Sequence, residues 1–207
     1  MPHRLRCAPA AALDEAAAPD VCRFRETTFE LLGGVTELNF NKLKWGDDEA
    51  VQLAVVLPLC AKLTELRLGL NQVGDRGAAA LAGAIKGSGV VKKLALNGNH
   101  IGDAGAAALA DALRVNGALT LLDLGGNQIG DAGAAAIADA LRINGALQEL
   151  YLNGNQIGDA GAAALADALR VNGALRTLNL SGNKIGEDSK SKLQEVVQGR
   201  SDFRLGL

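Results

Sequence analysis

The 207-residue sequence predicts an α/β fold, a curved solenoid with a parallel sheet on its concave side and helices on its convex side. Three observations carry this. First, IGDAGAAALADALRVNGA occurs at 101–118 and again, letter for letter, at 157–174, with the near copy IGDAGAAAIADALRINGA at 129–146, so the chain repeats every 28 residues. Second, each unit opens with an apolar–x–x–apolar–x–apolar pattern, its last two positions leucines in five of the six: Leu66 and Leu68, Leu94 and Leu96, Leu122 and Leu124, Leu150 and Leu152, Leu178 and Leu180. Two is the side-chain period of a strand. Third, the second half of each unit changes period. Gly105, Ala108, Leu109, Ala112 and Leu113 fall at i, i+3, i+4, i+7 and i+8, one face of a helix. A single unit cannot bury its apolar face, whereas stacked units share one core. Helices are wider than the strand spacing of about 4.8 Å, so the stack curves with its strands inside.

The elements follow in chain order. Residues 1–19 read as a disordered segment, as unanchored termini often are. A capping helix is expected within 20–34, opened by Asp20, with Val21, Phe24, Thr28 and Leu31 at roughly helical spacing and Gly33-Gly34 as its stop. Six units occupy 35–62, 63–90, 91–118, 119–146, 147–174 and 175–202. Within a unit, Asp103 reads as the helix N-cap, and Asn116-Gly117 as the C-terminal stop. Gly105 and its equivalents Gly77, Gly133 and Gly161 let neighbouring backbones approach, at roughly 1 kcal/mol each in helix propensity relative to Ala. Asn71, Asn99, Asn127, Asn155 and Asn183 form a column three residues after each strand. An amide both donates and accepts, so stacked amides can bridge successive turns. The first unit breaks the column with Leu43 and carries Trp45 where later units have Val73 or Ile101. In the last unit EDSKSKLQEVVQGR brings charge, while Leu193, Val196 and Val197 keep the inward face. Residues 203–207 read as a C-terminal cap and candidate edge strand.

Composition narrows the function. A net charge of -2 and a pI near 5.7 argue against nucleic acid, which needs a basic stripe. The basic cluster Lys92-Lys93, with Lys86 nearby, is too small to change that. No apolar run reaches the length of a membrane span. Asp14-Glu15 interrupt the Ala-rich N-terminus, which makes a poor signal peptide; the cytoplasm is the expected location. Cys7, Cys22 and Cys60 suggest neither a disulfide framework nor a zinc site. His3 and His100 are the only histidines, and there is no GxxxxGK[ST] loop. No catalytic set, metal or cofactor is therefore expected.

The pattern LxxLxLxxNxIGDxGAxALAxALxxN resembles the ribonuclease-inhibitor type of leucine-rich repeat, closely over 63–185 and more loosely over 35–62 and 186–202. The resemblance implies a non-enzymatic module that binds a partner protein. Two alternatives remain open. One is a GTPase activator resembling the Ran GTPase-activating proteins, whose long acidic tail is absent here. The other is a purely structural array or a fragment of a larger scaffold or receptor.

Differences between copies locate the candidate surface. The helices hardly vary, whereas the strand positions that point away from the core do. One row runs Glu37, Glu65, Lys93, Leu121, Glu149, Thr177, and the other Asn39, Arg67, Ala95, Asp123, Tyr151, Asn179. Side chains alternate across a strand, so both rows are expected on the concave face. Glu65, Arg67, Lys93, Leu121, Asp123, Glu149, Tyr151, Thr177 and Asn179 are the candidate partner-binding residues. Tyr and Arg are the types that most often carry interface energy. The protein is expected to be a monomer.

Overall fold

The computed structural model describes Leu5–Arg6 and residues 34–207. The expected N-terminal segment and capping helix lie outside these, apart from Leu5–Arg6 and Gly34. Eight parallel strands form one sheet in strict chain order. They are β1 (Leu5–Arg6), β2 (Glu37–Asn39), β3 (Glu65–Arg67), β4 (Lys93–Ala95), β5 (Leu121–Asp123), β6 (Glu149–Tyr151), β7 (Thr177–Asn179) and β8 (Arg204–Gly206). From β2 to β7 each strand is followed by a helix: α1 (Asp47–Val56), α2 (Asp75–Lys86), α3 (Asp103–Leu113), α4 (Asp131–Leu141), α5 (Asp159–Leu169) and α6 (Glu187–Val197). A 3-10 turn, Leu57–Leu59, extends α1. The architecture is the curved repeat solenoid that the 28-residue period predicts.

The core lies between sheet and helices. Leu66, Leu68, Leu94, Leu96, Leu122, Leu124, Leu150 and Leu152 are all fully buried. Leu109, Leu113 and Ala112 meet them from α3. Phe40 and Trp45 close the first unit as a stacked pair, ring centroids 4.5 Å apart.

The helix starts correct one expectation. Gly102, not Asp103, is the N-cap of α3, and no side chain of that residue can serve. Asp103 is the first helical residue, and its carboxylate caps the next helix instead. Asp103 Oδ1 accepts from Gly130 N at 2.7 Å and Gly133 N at 2.9 Å. The same ladder runs from Asp47 to Gly74 and Gly77, from Asp75 to Gly102 and Gly105, and from Asp131 to Gly158 and Gly161. Each aspartate satisfies amides that a helix N-terminus leaves open and adds negative charge at the positive end of the dipole. This also explains the helical glycine: a Cβ on Gly133 would sit 2.7 Å from Asp103 Oδ1 and 2.8 Å from Ile129 Cγ2. In the last unit Asp159 caps Gly186 N at 2.9 Å. Hydrogen bonds from Ser189 and then from Gly186 hold its carboxyl below the ordinary value.

The Asn column bridges turns as expected. Asn99 Nδ2 donates to Leu68 O and Leu96 O, both at 2.9 Å, and its Oδ1 accepts from Val73 N at 2.9 Å. A second column corrects the view of Asn116 as a simple stop signal. Helix α3 ends at Leu113, and Asn116 is buried beyond it. Asn116 Nδ2 donates to Ile85 O and Ser88 O of the preceding unit, while its Oδ1 accepts from Ala118 N and Leu119 N. Asn144 and Asn172 repeat the pattern. Arg200 takes the last rung, donating to Leu169 O and Leu175 O and lying 4.5 Å over the ring of Phe203.

The first two turns carry strain that the later ones avoid, with Lys42 (φ 63°) and then Leu70 at a position that glycine holds in the next four units. Gly98, Gly126, Gly154 and Gly182 adopt φ between 64° and 70°, and Leu70 holds the equivalent place at φ 59°. A left-handed conformation costs a residue with a Cβ about 1–2 kcal/mol, offset in part by the extra chain entropy that glycine loses on folding. Leu70 is 52% exposed, so its burial returns little. Leu70→Gly is expected to stabilise the fold by about 0.5–1 kcal/mol in urea unfolding. A loss of stability would mean that the Leu70 side chain over Gly98 outweighs the backbone strain.

Candidate interaction surface

Register places the two varied rows side by side. Glu37, Glu65, Lys93, Leu121, Glu149 and Thr177 are successive cross-strand neighbours, as are Asn39, Arg67, Ala95, Asp123, Tyr151 and Asn179. In these strands the central leucine is buried and its two neighbours are not. The reason is local: three residues of strand turn one side chain into the core and the flanking two outward.

Two clusters form. On β2 and β3, Arg67 Nη2 lies 2.6 Å from Glu65 Oε1, and its Nε 3.6 Å from Glu37 Oε1. Arg67 is 40% exposed, so it is held in place by acids yet open to a partner. On β5 and β6, Leu121 faces Glu149 and Asp123 faces Tyr151. Tyr151 Oη donates to Glu149 Oε2 at 2.8 Å. Asp123 Oδ1 accepts from Gly125 N at 3.0 Å. The two carboxylates thus sit diagonally across the strand pair, each with its own partner, and not as a directly paired acid–base couple. Burial raises the Asp123 carboxyl above its ordinary value, and the Gly125 N–H works against that. Lys93 is exposed between the clusters. Thr177 and Asn179 lie against β8, opposite Arg204 and Gly206.

The Tyr151 hydroxyl is the clearest electrostatic marker. Its hydrogen bond to Glu149 comes first in raising its pKa, followed by burial and the charges of Glu149 and Asp123, with Arg204 opposing. Ionisation would forfeit the donated bond and set a phenolate against a carboxylate. Tyr151 is the only tyrosine in the chain, so phenolate absorbance reports it alone. Its midpoint is expected above the ordinary value of about 10, and Glu149→Gln should bring it down. A midpoint that ignores Glu149→Gln would remove this contact from the surface.

A third row is not apparent from any single unit. At the strand exits the residues run Asn41, Gly69, Asn97, Gly125, Asn153 and Ser181. A Cβ on Gly69 would lie 2.6 Å from Asn97 Oδ1, and one on Gly125 2.8 Å from Asn153 Oδ1. The glycines therefore make room for amides of the following unit. The signal is present as an alternation between LNGN and LGGN, but it surfaces only when the copies are aligned and read down.

Comparison with known proteins agrees with this architecture. The Leucine Rich repeat family matches residues 59–82, 90–110, 118–138, 146–166 and 174–189. No curated protein matches the chain in sequence. Among solved structures, that of Leiomodin-1 Actin-Binding Site 2 (ABS2) is similar, with a TM-score of 0.61 and 24% identity over 72% of this chain and 86% of that one. At that identity the likeness is one of fold. The matched repeats and the stacked strand–helix units make this chain a leucine-rich-repeat protein. Among the described residues no group of His, Cys, Asp and Glu could hold a metal ion, and no helix is long and apolar enough to cross a membrane.

Proposed function

We propose that the protein is a non-enzymatic, cytoplasmic interaction module of the ribonuclease-inhibitor type, a monomer that binds a partner protein on its concave sheet. One observation carries this. Across the three central copies, 91–174, variation is concentrated in the outward strand rows, whereas the helices and both Asn columns repeat nearly unchanged. Stacking fixes the repeated residues and leaves the varied ones free for recognition. Arg67, Tyr151 and Asp123 are the expected anchors, with Glu65, Lys93, Leu121, Glu149, Thr177 and Asn179 around them.

The test compares partner capture by Tyr151→Ala/Asp123→Ala with capture by Arg114→Ala/Arg142→Ala, whose arginines pair with Asp111 and Asp139 on the convex helices. Loss in the first variant alone supports the concave site, and equal loss in both sinks it. Because the similar leiomodin structure is of an actin-binding site, actin co-sedimentation is the first defined assay. A GTPase-activating role is separated by measuring GTP hydrolysis by small GTPases with and without the protein.

A further inference from the structure

The junction of the first two units departs from those of the central units in a way that stacking does not require. Where α1 and α2 end, a cleft of about 560 Å³ opens between them, floored and walled by Leu57, Pro58, Cys60, Ile85, Val90 and Val91. Among the described residues, no acidic one lines it. That volume is within the usual range of ligand sites, about 300–1,000 Å³.

Around the cleft, α2 and the turn after it lack side chains that the next three units carry. Asp111, Asp139 and Asp167 are replaced by Gly83, and Val115, Ile143 and Val171 by Gly87. A Cβ at Gly83 or Gly87 would meet nothing within 4 Å. Neither of these glycines has a positive φ in the left-handed range, so no backbone constraint accounts for them.

The same substitutions change the charge. In later units the arginine at the helix end pairs with the aspartate three residues before it: Arg114 with Asp111, Arg142 with Asp139, Arg170 with Asp167. Lys86 holds the arginine position, and Gly83 has removed its acid. Lys62 stands where other units have Val90, Ala118, Ala146 and Ala174, and Lys92 where three others have Thr64, Thr120 and Gln148. Lys62, Lys86 and Lys92 are exposed, and each adjoins a lining residue in the chain. Three exposed lysines thus flank, in the chain, the residues that line the apolar hollow.

We propose that this cleft is a second docking site, separate from the concave face, for an acidic protein segment that inserts an apolar side chain and sets carboxylates against Lys62, Lys86 and Lys92. Charge complementarity selects the occupant. A neutral apolar segment would leave the ammonium groups without counter-charges, and a basic one would be repelled.

The probes are fluorescein-labelled hexapeptides with Leu, Ile, Phe or Trp pairs between Glu-Glu flanks, read by anisotropy. At least one is expected to bind, with affinity falling as salt rises. The same peptide with Gln for Glu, or with Ser for the apolar pair, should bind about tenfold or more weakly, a difference of about 1.4 kcal/mol. Gly83→Asp/Gly87→Val should also lose about tenfold or more while remaining folded, because it installs residues that this chain already tolerates at the equivalent sites. Tyr151→Ala/Asp123→Ala should bind the peptide normally, which keeps this proposal distinct from the concave reading. Absence of binding by all four peptides overturns the proposal, as does equal binding by the control peptides or by Gly83→Asp/Gly87→Val. Stronger binding to phosphatidylserine vesicles than to any peptide, lost in that double variant, assigns the cleft to a lipid surface and also overturns it.

Discussion

Leu124→Ala is expected to lower the unfolding free energy by about 2–5 kcal/mol, the range for truncating a buried leucine. The upper half of that range applies here. Leu124 is fully buried, and so are its equivalents Leu96 and Leu152 in the units on either side. Relaxation would have to move a neighbouring unit inward. The backbone resists this: Leu124 N donates to Tyr151 O at 2.9 Å, and Leu124 O accepts from both Asn127 and Asn155. A cavity that cannot collapse keeps its full cost. In a solenoid the stability resides in nearest-neighbour interfaces, so damage at a central unit also weakens coupling between the two halves. Urea unfolding followed by circular dichroism checks both points. Val115→Ala is the control, because Val115 is 63% exposed and its truncation should stay within about 0.5 kcal/mol. A loss at Leu124 no larger than that of the control would contradict the strand register.

How far the sequence reveals this structure depends on whether a residue acts within its own unit or across two. Leucine spacing is local chemistry, and it gives the strand, the buried face and the outward rows directly. Asp103 misleads because an aspartate before a helical pattern is the ordinary sign of an N-cap. Its true partners, Gly130 and Gly133, lie in the next unit. In a verbatim repeat, a contact to the next copy and a contact within the copy have the same sequence signature. Asn116 misleads for the same reason: Asn-Gly after a helix is a familiar stop, yet its amide reaches back to Ile85 and Ser88.

The candidate surface is legible in a different sense. Alternation across a strand fixes which residues point outward, so both rows can be named from letters alone. Their internal chemistry cannot. Nothing in the order of residues says that Tyr151 donates to Glu149 rather than reaching Asp123, or that Arg67 is bracketed by Glu37 and Glu65. Side-chain partners on a sheet are chosen among several neighbours at similar range, and that choice is made by rotamers and packing. The apolar cleft beside Cys60 is hidden for another reason. Gly83 and Gly87 line it where central units carry side chains, and glycine in a glycine-rich repeat draws no notice until compared with its own equivalents.

Asn127→Ala is expected to cost about 3 kcal/mol, the top of the usual 1–3 for a single unsatisfied group, because one side chain serves three backbone groups. Asn127 Nδ2 donates to Leu96 O and Leu124 O, both at 3.0 Å, and Oδ1 accepts from Ile101 N at 3.0 Å. The carbonyls keep a second donor, from Asn99 and Asn155 respectively. The Ile101 N–H has no such reserve, and Ile101 is fully buried. Asn183→Ala, at the less buried end of the column, should cost less. Asn127→Asp separates the acceptor role from the donor role. A carboxylate still accepts from Ile101 N but faces two carbonyl oxygens, so its folded pKa should rise above the unfolded value of about 3.9. A group whose pKa is raised on folding contributes stability fully below the unfolded pKa and loses it as pH rises through the folded one. Asn127→Asp should therefore recover toward the parent stability as pH falls toward 4, roughly its unfolded pKa, whereas Asn127→Ala should show no such recovery. Parallel pH profiles for the two variants would mean that the donor half of the amide does not hold the turns together.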